Sequence, residues 1–185
     1  MLLRGELVMN GFEVEIIKYI NSNFSHPFLD EFFKFVSFLG DKGWMWIVIA
    51  LVLVCIPKTR KAGICSAISL VLCLIITNIC IKPLIDRLRP YEVETALKII
   101  IPHLNDGSFP SGHTCASFAS VFAICKYYKK WTVPLYVFAC LMGASRLYLC
   151  VHYPTDVIAG AILGTLFGYG AYLMTERIWL KRNPM

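Results

Sequence analysis

The sequence is short of charge. Asp, Glu, Lys and Arg make up 16% of its 185 residues, whereas a soluble domain carries about 25%. With 57% hydrophobic residues and a mean hydropathy of +0.63, that shortage excludes an ordinary soluble domain and indicates a membrane protein of one domain. Nor is a secretory leader expected: the start, MLLRGELVMNGFEVEI, has acids within its first fifteen residues and no apolar h-region. There is no CxxC pair and no Cys/His cluster with zinc spacing. The eight cysteines (55, 65, 73, 80, 115, 125, 140 and 150) fall in or at the ends of apolar runs. They are expected to be buried free thiols acting as small hydrophobes, not a disulfide framework. No carboxylate cluster of the kind magnesium needs is present. Nor do the two halves repeat each other with interrupted helices, as many transporters do. No metal, no cofactor and no nucleic-acid partner is expected.

What is present is a series of apolar stretches at 44–56, 62–81, 113–128, 132–150 and 155–176. Several approach the ~20 residues that cross a bilayer. The expected fold is therefore all-α, an integral membrane bundle of about five transmembrane helices. The first stretch, WMWIVIALVLVCI, is short; it borrows length from the segment before it or thins the bilayer. In that earlier segment Phe28, Leu29, Phe32, Phe33, Val36 and Leu39 recur at helical spacing, with Asp30, Glu31 and Lys34 between them. It reads, with EVEIIKYI, as amphipathic helices lying at the membrane interface; a sixth, poorly hydrophobic span is the alternative. This divides the chain into an N-terminal interfacial segment, 1–43, and a transmembrane domain, 44–185.

Lys58, Arg60 and Lys61 occupy one turn, Lys126, Lys129 and Lys130 another, and Arg177, Lys181 and Arg182 the tail. With five spans these segments share one side, which the positive-inside rule makes cytoplasmic. Residues 82–112 and 151–154 then face outward. In the last span Gly160, Gly164 and Gly168 form a small-residue stripe, for close packing within the chain or for the seam of a homodimer.

Charged residues at the edge of a membrane are costly and therefore suspect. Three groups of them fall on the outer side. In KPLIDRLRP, Lys82 and Arg89 are seven residues apart, close to two helical turns, so both lie on one face and both can bend toward one anion. Snorkelling at the boundary is the plainer reading, and it also suits Arg87 and Asp86. In SFPSGH, Ser111, Gly112 and His113 open an apolar run. They read as a helix cap or as an anion cradle at a helix start. In SRLYLCVHYPTD, Arg146 is followed by His152 and, four residues later, by Asp156. A carboxylate bonded to one ring nitrogen fixes the tautomer and leaves the other nitrogen free to attack; a buried histidine satisfied by a local acid has the same spacing. His26 and His103 belong to none of these groups.

Taken together, K-x6-R-P at 82–90, P-S-G-H at 110–113 and S-R-x5-H-x3-D at 145–156 resemble the three signature motifs of the type 2 phosphatidic acid phosphatase superfamily. The resemblance covers about residues 44–176. It implies that Lys82, Arg89 and Arg146 hold phosphoryl oxygens, with Ser111 and the Gly112 backbone adding hydrogen bonds. By the same resemblance His152 attacks phosphorus and forms a phosphohistidine, Asp156 orients its ring, and His113 protonates the leaving group. Ser145 belongs to the third motif without an assigned role. The implied activity is metal-independent hydrolysis of a lipid phosphate at the outer face of a cell membrane. The small five-span plan is similar to bacterial undecaprenyl-diphosphatases, so a prenyl diphosphate is the favoured substrate. Phosphatidylglycerol phosphate or phosphatidic acid is the alternative, and a non-catalytic lipid or phosphate transporter is the remote one.

Overall fold

The computed structural model describes residues 11–182. Residues 1–10, the start of the expected interfacial segment and of the stretch read for a leader, lie outside the described residues, as do residues 183–185 at the end of the expected transmembrane domain. Among the described residues the fold is all helix. α1 (Gly11–Phe24) and α2 (Pro27–Gly40) precede α3 (Trp44–Cys55) and α4 (Arg60–Leu72). α4 runs on into a π-helical stretch, Cys73–Ile81, and two short helices follow, α5 (Lys82–Ile85) and α6 (Pro90–Val93). α7 (Gly112–Tyr127), α8 (Thr132–Tyr148) and α9 (Pro154–Arg182) complete the bundle.

α7 is the central helix, packed against α4, α8 and α9. Its sequence explains why: GHTCASFASVFAICKY is rich in Ser, Ala and Cys, and small side chains let neighbouring backbones come close. α9 lies along it through the glycine stripe. A Cβ added at Gly164 would stand 2.3 Å from the Cys115 carbonyl oxygen, a distance no side chain tolerates, so the stripe is filled by α7 of the same chain. The outward surfaces are apolar instead. Ile47, Leu51 and Val52 of α3 and Ile158, Ile162 and Leu166 of α9 are exposed, as on a bundle whose solvent is hydrocarbon. All eight cysteines are free, but only five are buried as expected: Cys55, Cys80 and Cys140 lie on the outward apolar surfaces and are exposed.

Among the described residues three helical runs are long and apolar enough to cross a membrane: Pro27–Cys55, Arg60–Val93 and Pro154–Lys181. The five expected spans also require α7 and α8, whose 16 and 17 residues rise about 24 and 26 Å. The first run joins α2 to α3 through a 3-10 turn, Asp41–Gly43. Lys42 (φ 52°) and Gly43 (φ 72°) are both left-handed there, so the chain bends sharply between the two helices. One side of α2 buries Val36, Ser37 and Gly40, while Phe28, Phe35 and Phe38 are exposed.

Residues 82–90 do not form the single helix their spacing suggests. α5 stops at Ile85, Asp86 takes a left-handed conformation (φ 42°), and residues 86–89 are non-helical. Pro90 explains part of this, since a proline disfavours helical backbone in the residue before it. Asp is among the few residues that accept the left-handed cap. Lys82 and Arg89 are thus brought together by a turn and not by a shared helix face.

Candidate active site

The starts of α7 and α9, the end of α8 and the 86–89 turn meet at one end of the bundle, opposite the turns that carry Lys58 and Lys130. A cavity of about 870 Å³ opens there. Six of the eight site residues expected from the sequence line it: Lys82, Arg89, Gly112, His113, Arg146 and His152.

His152 sits in the loop between α8 and α9 and is only 2% exposed. Its Nδ1 faces Asp156 Oδ2 at 3.3 Å. That oxygen also accepts from the Tyr153 backbone N–H at 2.9 Å, which fixes the carboxylate at the first turn of α9. The pair uses Nδ1, so Nε2 is the ring nitrogen left for the cavity. Burial, reinforced by the charges of Arg89, Arg146 and Lys82, pushes His152 well below its ordinary value. The ring is therefore neutral at pH 7 and keeps a lone pair, as a nucleophile must.

Three buried cations surround it. Arg89 is 1% exposed and donates to the Val151 carbonyl through Nη1 at 2.7 Å and to Asp106 Oδ1 through Nη2 at 2.8 Å. Lys82 donates to the other Asp106 oxygen. Partial burial would raise the Asp106 carboxyl, but the Lys82 hydrogen bond and the charges of Lys82 and Arg89 outweigh it and hold the group at about 2. Arg146, at the end of α8, donates through Nη1 to Ser37 Oγ of α2. Its Nε is buried with no partner. An orphaned guanidinium N–H in a cavity wall is a costly feature unless a ligand oxygen meets it.

His113 stands on the first turn of α7, with Nε2 3.0 Å from Asp41 Oδ1. The ring fits because residue 40 has no side chain: a Cβ at Gly40 would lie 2.6 Å from His113 Cδ2. Ser111 caps α7, and its hydroxyl is paired with Thr114, 2.9 Å to the Oγ1 and 3.4 Å to the backbone nitrogen. Of the two expected uses of Ser111, the structure provides the cap; the hydroxyl is absent from the cavity wall. Asp156 stands behind His152, likewise off the wall. The remaining histidines have local uses. His26 Nδ1 caps α2 by accepting from the Phe28 N–H at 3.2 Å, and His103 packs edge-on against Tyr91.

Four residues at the site have no sequence signal: Ser37, Asp41, Asp106 and Glu13. Each reaches its partner across long sequence separations, and none lies in a motif. Away from the charges the cavity is lined by Ile47, Leu51 and Val54 of α3 and Leu70, Val71 and Leu74 of α4 and the π-helical stretch. The cavity is thus polar at one end and apolar along the rest.

Asp106 pairs with both Lys82 and Arg89, so its charge would compete with an anion brought to those cations. In Asp106→Asn that competing charge is gone while the side chain keeps its shape. Vanadate, an oxyanion shaped like phosphate, is expected to bind about tenfold more tightly, a change of about 1.4 kcal/mol. Isothermal titration in detergent measures it; unchanged or weaker binding would show that Asp106 does not compete for the seat.

This arrangement agrees with what the chain is similar to. Residues 63–180 match the PAP2 superfamily. Undecaprenyl-diphosphatase of Sulfolobus acidocaldarius is 32% identical over 160 residues, which is 86% of this chain and 76% of the relative. Lipid A 4'-phosphatase of Bacteroides thetaiotaomicron is 26% identical over 182 residues, 92% of this chain and 80% of the relative. The crystal structure of a transmembrane PAP2 type phosphatidylglycerolphosphate phosphatase from Bacillus subtilis superposes with a TM-score of 0.74. It has 24% identity, with 91% of this chain and 86% of that one covered. The fold, the three motifs converging on one cavity and the extent of these matches lead to one conclusion: the chain belongs to the PAP2 superfamily and is a membrane phosphatase of that family.

Proposed function

We propose that the protein hydrolyses a prenyl diphosphate to the prenyl monophosphate and inorganic phosphate through a phosphohistidine on His152. One observation carries the reading: a neutral His152, backed by Asp156, faces three buried cations at the polar end of a cavity whose other walls are apolar. His152 Nε2 attacks the terminal phosphorus. The bond from phosphorus to the bridging oxygen breaks, and that oxygen takes a proton from His113. Lys82, Arg89 and Arg146 neutralise the equatorial oxygens of the five-coordinate transition state. The Gly112 backbone lies at the start of α7, where helix N–H groups favour an anion. A water molecule, deprotonated by His113, then attacks the phosphohistidine. This releases phosphate and returns His152 to its neutral form. Asp156 holds the Nδ1 proton throughout.

The apolar wall from α3 and α4 suits a long hydrocarbon chain entering sideways from the bilayer. The name of the Sulfolobus relative supports a diphosphate. A lipid phosphate monoester is the second reading, favoured by the lipid A phosphatase relative; phosphatidylglycerol phosphate and phosphatidic acid belong to that class. No step requires a metal, because side-chain cations supply the positive charge.

A panel of lipids separates these readings. Purified protein in detergent is given undecaprenyl diphosphate, phosphatidylglycerol phosphate and phosphatidic acid, each with EDTA, and phosphate release is measured. The diphosphate is expected to lead by at least about tenfold in kcat/KM, with no loss in EDTA. A lead for either monoester would transfer the assignment to the second reading. Binding without turnover would point to a transporter, and activity that returns only with magnesium would end the metal-free mechanism.

We further propose five spans with the site on the outer side, since the Lys- and Arg-rich turns lie at the other end. Single cysteines at Asn105 and Lys130, in a background without the native ones, test it. An impermeant thiol reagent on intact cells should label position 105 and spare 130. The opposite pattern would invert the topology.

A further inference from the structure

Arg87 has no part in the mechanism above. From the sequence it reads as a snorkelling cation, but the structure turns it inward. Its side chain is 12% exposed and its guanidinium stacks 4.0 Å from the centre of the Tyr153 ring. Nη1 donates to Asp156 Oδ1 at 2.6 Å and to Thr155 Oγ1 at 2.8 Å. Nη2 donates to Glu13 Oε2 at 2.8 Å. The other Glu13 oxygen accepts from the Thr155 backbone N–H at 2.9 Å and from its hydroxyl at 2.8 Å. Glu13 is 4% exposed and Asp156 not at all.

We infer that Arg87 is the positioning residue for Asp156, and that Glu13 of α1 anchors Arg87 in that role. The inference rests on the reading of His152 as nucleophile and Asp156 as its orienting acid. Asp156 offers one oxygen to His152. Its other oxygen is held by Arg87, which stops the carboxylate from rotating about its Cβ–Cγ bond. Arg87 also balances a buried carboxylate that would otherwise be uncompensated. Glu13 in turn shares the Arg87 charge, so that Arg87 does not draw Asp156 away from the imidazole. The result is an alternating chain, Glu13, Arg87, Asp156, His152, that runs from the N-terminal helix to the attacking nitrogen. A bare structural staple between α1 and α9 would use the same bonds, but it would set stability and leave the chemistry of each folded molecule alone.

The test uses the full chain in detergent with undecaprenyl diphosphate. It reads kcat and KM separately, single-turnover phosphoenzyme formation, and the thermal midpoint. Arg87→Ala is expected to lose about 100-fold in kcat and in phosphoenzyme formation, with KM within about twofold. Added methylguanidinium should restore part of that loss. Arg87→Lys keeps the charge without the fork and should fall between, about tenfold below the parent. Glu13→Gln should lose about tenfold in kcat, and the double variant with Arg87→Ala should lose no more than Arg87→Ala alone. Folded Arg87→Ala with kcat within about threefold of the parent, a loss that appears in KM instead, or single losses that multiply in the double variant would each overturn the inference. If Arg87→Ala does not fold, Glu13→Gln decides, and a kcat within about twofold of the parent refutes the chain. His152→Ala distinguishes the two levels. If it still forms phosphoenzyme, the underlying reading of the site has failed; if it is inert while Arg87→Ala is normal, only the positioning claim has.

Discussion

Buried positive charge at one end of the cavity governs the rest of this structure. Lys82, Arg89 and Arg146 are each under a tenth exposed, and one carboxylate, Asp106, touches two of them. Charges held this way cost several kcal/mol each unless they are paired. The fold meets that cost with fixed oxygens. The Val151 and Asp106 carbonyls take Arg89, Ser37 takes Arg146, and the Asp106 carboxylate takes Lys82 and Arg89. On the proposed reading a phosphate group replaces these partners, because it brings more charge and more acceptor oxygens. Burial in the first place, and the field of the same cations in the second, push His152 well below its ordinary value.

The bundle is arranged to hold that field in place. Helix ends, not helix middles, supply the site, and backbone groups are available only at such ends. The small residues of α7 and the glycines of α9 bring those ends within reach of one another. α2 contributes Gly40 to the cavity wall and holds Arg146 through Ser37, and Asp41, beside the bend at Lys42 and Gly43, meets His113. The N-terminal helices are therefore integral to the site, although their sequences carry none of its motifs.

What could be read from the sequence was local. His152 and Asp156 are four residues apart across a helix start, a spacing that translates directly into contact. Ser111 as a cap follows the same logic. That the three groups share one side was read from the Lys and Arg asymmetry, and the role of each residue from resemblance to a family. Where reasoning went beyond one turn of helix it met tertiary structure: the face shared by Lys82 and Arg89 does not exist, because the helix stops at Ile85. Ser37, Asp41 and Glu13 could not be found, since their contacts span 109, 72 and 74 or more residues and nothing in their neighbourhoods marks them. Asp106 lies close before the second motif, yet a loop acid carries no pattern that separates it from a solvated one.

The central claim is that phosphorus is attacked by His152. Substrate labelled in its terminal phosphate, mixed with the protein and quenched within one turnover, tests this most directly. The account predicts label bound to protein that survives alkali, is lost in acid, and maps by mass spectrometry to the peptide containing His152. Label on any other residue would contradict it. So would turnover with no labelled protein at any time point and with inversion at phosphorus, which would mean direct attack by water.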